Sequence, residues 1–73
     1  MMKLIADIET PSSELFTQLW DRKIYAHCIS DGKFRIVIPA DRENSLIELL
    51  TDLTDKLNTS VAISRRYEKE DQE

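Results

Sequence analysis

A chain of 73 residues, 41% apolar and 33% charged, has room for one small domain, and burying about 60% of its unfolded surface leaves it roughly 3–5 kcal/mol of net stability. Fourteen acidic against ten basic side chains give a formal charge of −4, and with one glycine and two prolines the composition excludes a wholly disordered chain. One cysteine excludes an internal disulfide and a Cys-rich zinc site, and no apolar run reaches the roughly 18–20 residues of a membrane span or forms a secretory h-region after Met1-Met2, so a cytoplasmic protein is expected.

Residues 3–8 (KLIADI) place Leu4, Ala6 and Ile8 at every second position, the period of a strand. Thr10-Pro11 then predicts a helix over 11–22. Thr10 can cap it, Pro11 suits the first helical position, and Glu14 sits where the N-terminal dipole favours an anion. Leu15, Phe16, Leu19 and Trp20 share one face of that helix, opposite Glu14, Thr17, Gln18 and Asp21. Two β-rich runs, 24–30 and 33–39, flank Asp31-Gly32, a pair able to supply the positive φ angles of a two-residue type I′ turn. That loop length sets Ile29 opposite Phe34, Cys28 opposite Arg35 and His27 opposite Ile36. Tyr25, His27, Ile29, Phe34, Ile36 and Ile38 are then expected toward the core. Ile24, Ala26, Cys28, Ser30, Lys33, Arg35 and Val37 take the other face. Pro39 lacks a ladder N–H and ends the strand.

Ser45-Leu-Ile-Glu48 fits the capping box of a second helix, whose buried stripe is Leu46, Leu49, Leu50, Leu53 and Leu57 and whose left-handed stop is Asn58. Val61 and Ile63 open a last strand, and Arg65, Arg66 and Tyr67 run out of it. The ordered domain is expected over 1–67. Residues 68–73 (EKEDQE) carry no apolar side chain and read as a solvated, disordered tail.

The order strand, helix, strand, strand, helix, strand resembles the ferredoxin-like split βαβ superfold (βαββαβ). This is an α+β architecture with a four-stranded antiparallel sheet and two helices on one face. The fold hosts many functions and transfers none. The turn Glu9-Thr10-Pro11-Ser12 resembles the Asp-x-Pro-Gly turn of ACT domains, amino-acid sensors of the same fold. Ser12 stands in place of the glycine that admits the ligand, so no amino-acid site is carried over.

The chemical motifs come out negative. His27 and Cys28 point to opposite faces of one strand, which argues against a metal or a nucleophile–base pair. Arg35, the expected neighbour of Cys28, is the one feature that could favour its thiolate. Asp41 and Glu43 precede a helix start, Glu48 belongs to the capping box, and Asp52 can pair with Lys56, so these carboxylates read as a solvated face. Gly32 is the only glycine, and phosphate-binding loops need at least two. RNA-recognition domains share the fold and stack bases on aromatic side chains of the sheet. The face expected here offers Ala26, Cys28, Arg35 and Val37 instead, and the negative charge weakens backbone affinity.

What remains is an uncovered sheet face carrying Lys3, Ile5, Cys28, Lys33, Arg35, Val37 and Arg66, countered by Asp7, while Glu48, Asp52 and Asp55 lie on the second helix. The expectation is a non-enzymatic module that binds another protein bearing an acidic patch. It would regulate or inhibit a larger protein or complex, in the manner of small phage or mobile-element inhibitors. No catalytic residue, metal or cofactor is expected. A homodimeric metabolite sensor of ACT-like architecture is the alternative, nucleic-acid binding stands behind both, and a site completed by another chain remains open.

Overall fold

Strand β1 (Met2–Glu9) buries Leu4, Ala6 and Ile8 on one side, and it forms the sheet's interior together with β3 (Lys33–Pro39). The computed structural model describes residues 2–69. Between these strands come α1 (Ser13–Asp21) and β2 (His27–Ser30); after them come a 3₁₀ turn (Ala40–Arg42), α2 (Glu43–Leu57) and β4 (Ala62–Lys69). The four strands form one antiparallel sheet in the order β2-β3-β1-β4, which is the ferredoxin-like topology. Leu15 and Leu19 of α1 and Leu46, Leu50 and Leu53 of α2 close over Leu4, Ala6, Ile8, Phe34 and Ile36 in a single core. The two helices therefore cover one sheet face; of the stripes expected from their periodicity Leu15, Leu19, Leu46, Leu50 and Leu53 are buried, Phe16, Leu49 and Leu57 are partly buried, and Trp20 is 45% exposed.

Both helix starts depart from expectation. Thr10 is buried, its N–H donates to Gly32 O at 2.9 Å, and its Oγ1 accepts from Ser12 N at 3.2 Å. The hairpin turn thus holds Thr10 outside the helix, and α1 begins at Ser13 rather than at Pro11. The expected capping box is not formed either. The chain leaves Pro39 through the 3₁₀ turn directly into α2, Glu43 N–H donates to Ala40 O, and Ser45 lies within the helix. The expected stop is present, with Asn58 in the left-handed region at φ 51°.

The hairpin holds the main correction. Gly32 has φ 74°, whereas Asp31 does not join it at positive φ, so the turn is not type I′. Ser30 still pairs with Lys33, but the register then shifts: Cys28 opposes Phe34 and His27 opposes Arg35. A bulge absorbs Ile29, as happens when a turn closes on one left-handed glycine. Every β2 side chain beyond the bulge changes face, while β3 keeps the expected one. Ala26 is buried, and His27, Tyr25 and Ile29 are exposed instead of packed. Residues 24–26 do not extend the strand, because α1 engages them: Trp20 Nε1 donates to Ala26 O at 3.0 Å, and the Trp20 and Tyr25 rings meet edge-on at 4.7 Å.

At the other end, β4 runs two residues past the expected boundary. Glu68 pairs with Lys3 and Lys69 with Met2, so these two belong to the sheet rather than to a tail. Residues 70–73 of that expected tail lie outside the described residues.

Candidate functional site

The uncovered sheet face is built by alternate residues of the four strands. Register places Lys3, Ile5, Asp7 and Glu9 of β1 beside Pro39, Val37, Arg35 and Lys33 of β3, and beside Glu68, Arg66, Ser64 and Ala62 of β4. Six of the seven expected contact residues are therefore together: Lys3, Ile5, Lys33, Arg35, Val37 and Arg66. Cys28 is not among them. Its pairing with Phe34 turns it to the helix side, where it stays exposed because all of β2 is exposed at the sheet edge. Its Sγ lies 3.2 Å from Ser30 O, and Arg35, the cation expected to favour its thiolate, is now the cross-strand neighbour of His27. The case for a reactive thiol falls with that partner. Ala26, expected on this face, is in the core for the same reason.

The apolar centre of the face is uneven. Val37 is 48% exposed, while Ile5, on the same face with no helix above it, is only 6% exposed. Ile5 sits on a central strand between Val37 and Arg66, where long neighbouring side chains can lay their stems across it.

Its cations are mostly matched. Arg35 grips Asp7 through Nε at 2.8 Å and Nη2 at 3.2 Å, a two-pronged pair. Lys33 stands opposite Glu9, Lys3 opposite Glu68, and Arg66 Nε lies 3.6 Å from Glu68. Cross-strand pairs of opposite charge stabilise a sheet and neutralise it at once. The basic face expected from Lys3, Lys33, Arg35 and Arg66 is thus a mixed one. Signals for this were available in the strand alternation, since Glu9 and Glu68 fall in phase with Asp7 and Arg66.

A second cluster, on the helix side, was not legible beforehand. Glu43 in the first turn of α2 accepts from Arg65 Nη1 at 2.5 Å and from Tyr67 Oη at 2.6 Å, tying α2 to β4. Arg65 and Tyr67 lie in β4 itself, opposite Ala6 and Leu4, on the face that the helices cover.

Both clusters shift titration. The hydrogen bond from Arg35 holds the Asp7 carboxyl below its ordinary value against a smaller opposing effect of burial. The hydrogen bond from Tyr67, then that from Arg65, does the same for Glu43, and the bond to Glu43 raises the Tyr67 phenol. A carboxylate depressed in the folded state contributes stability in full above its unfolded pKa and loses it as pH falls through the folded value. Stability is therefore expected to drop as pH falls below about 4. Asp7→Asn with Glu43→Gln should flatten that acid limb in urea melts, and an unchanged limb would show that these pairs do not form. Tyr67 works in the opposite sense, its share being lost as pH rises through its raised value.

Among the described residues, no cluster of three or more His, Cys, Asp or Glu side chains could hold a metal ion, and no helix is long and apolar enough to cross a membrane. No aromatic ring lies on the open face of β1 or β3; Phe34 is buried and packs against Phe16 with centroids 4.7 Å apart. No family model matches the chain, and neither does any curated protein or solved structure.

Proposed function

We propose that this chain is a non-enzymatic, cytoplasmic protein-binding module that regulates or inhibits a larger protein or complex by docking its open sheet face. The observation that carries this reading is the one-sided sheet. Both helices pack on one face, and the other presents exposed Val37 among Lys3, Arg35 and Arg66. A mixed face of this kind suits a protein surface better than a nucleic acid, which calls for stacking rings and unmatched cations. The Asp7–Arg35 pair holds the guanidinium in one orientation before a partner arrives, which lowers the ordering cost of binding through it.

The test is affinity capture from a lysate of the source organism with the wild-type chain, Arg35→Glu and Arg66→Glu, each first shown by circular dichroism to be folded. A discrete partner is expected on the wild type, with capture reduced at least tenfold by either change. Absence of any discrete partner, or equal capture by the folded variants, would overturn the reading.

A further inference from the structure

Three further cations lie off the open sheet face. Because β2 starts at His27 opposite Arg35, residues 36–39 of β3 have no strand beside them on their outer edge. There the chain between α1 and β2 diverges, opening a groove of about 610 Å³ between Ile24 and Tyr25 on one side and Leu46 and Leu49 of α2 on the other, with the β3 edge as its floor. Its rim carries Arg22, Lys23 and Arg42, no acidic residue lines it, and among the described residues none of the three makes an ion pair.

Two of these cations sit where they do the free fold no service. Lys23 occupies the left-handed position that closes α1, at φ 64°, with Ile24 N–H donating to Leu19 O at 2.9 Å. Glycine is the residue that takes this position without strain. Arg42 fills the N-cap position of α2 without a side-chain capping bond, placing positive charge at the positive end of the helix. Two locally unfavourable cations on one apolar groove beside an unpaired strand edge point to a ligand that repays them.

We propose that this groove binds an extended, acidic segment of a partner protein, which adds as a strand beside residues 36–39 of β3, sets apolar side chains against Ile24, Leu46 and Leu49, and meets Arg22, Lys23 and Arg42 with carboxylates. Backbone pairing at an open edge supplies affinity, and the pockets for alternate side chains supply selectivity. A second copy of the chain is disfavoured, because edge-to-edge pairing would bring two sets of the same cations together. The groove shares Val37 with the open sheet face but none of that face's charged residues, and binding here does not depend on that face binding anything.

The test is an amide-resolved NMR titration of the full chain with a terminally capped peptide of alternating glutamate and valine, run beside the same peptide with lysine for glutamate. Shifts confined to residues 22–25, 36–38 and 42–49 are expected, with no response to the lysine peptide. Lys23→Gly and Arg42→Gln should each weaken binding at least fivefold, while Lys23→Gly holds or raises the melting temperature, separating affinity from folding. Silence with the glutamate peptide, equal response to the lysine peptide, shifts centred on Lys3, Asp7 and Arg35, or unchanged affinity in both variants would each overturn the proposal. So would a dimer by light scattering together with slowed amide exchange at residues 36–38 in the free chain.

Discussion

Leu19→Ala and Leu53→Ala are each expected to lower the free energy of unfolding by about 2–5 kcal/mol, enough to leave much of a 73-residue chain unfolded at room temperature. Leu19 has no exposed surface and Leu53 only 2%, and they come from different helices closing on the same sheet face. Truncation removes the transfer energy of the lost methyl groups and leaves a cavity that strand-anchored neighbours cannot collapse to fill. Urea denaturation of both variants, with Leu57→Ala on the partly buried end of α2 as the milder comparison, checks the assignment. Unmoved midpoints for Leu19→Ala and Leu53→Ala would show that the helices do not present these residues to the core.

Gly32→Val is expected to cost about 1–3 kcal/mol by a different route. At φ 74° a β-branched side chain is strained, and a Cβ there would stand 3.2 Å from Thr10 O. The same turn accepts the Thr10 N–H through Gly32 O, so relief of the crowding would loosen the contact that fixes where α1 begins. Gly32→Asn should cost less, because asparagine tolerates the left-handed region. Thermal melts of the pair distinguish backbone strain from side-chain crowding, and a valine variant as stable as wild type would remove Gly32 from its role in the register.

The hairpin shows how far local pattern carries. Asp31-Gly32 between two β-rich runs announces a turn, and Phe34, Arg35 and Ile36 take the expected faces because β3 is an interior strand whose Phe34, Ile36 and Ile38 all pack toward the helices. The edge strand β2 had no such constraint. A one-residue bulge there leaves Tyr25 and Ile29 exposed and is tolerated because an edge strand is paired on one side only, so alternation alone could not say which way His27 and Cys28 point. That reversal removed Cys28 from the candidate face and set His27 beside Arg35. The face itself was legible through Lys3, Ile5, Arg35, Val37 and Arg66, since period-two strands sort their residues whatever the register of their neighbours.

The element order, the buried helix positions Leu15/Leu19 and Leu46/Leu50/Leu53, the end of β3 at Pro39 and the left-handed stop at Asn58 are all written in short windows of the chain. Each of these follows from local periodicity or from the dihedral limits of a single residue. The start of α1, where Thr10 is held by Gly32, and the role of Glu43, which reaches Arg65 and Tyr67 across more than twenty residues of chain instead of lying on a solvated face, come from contacts distant in sequence. Tertiary structure also decided the matched charges of the open face and the unpaired length of β3, because both depend on which strands become neighbours. Strand adjacency is a long-range choice, set by how the whole apolar surface is buried at once, and no window of the sequence contains it.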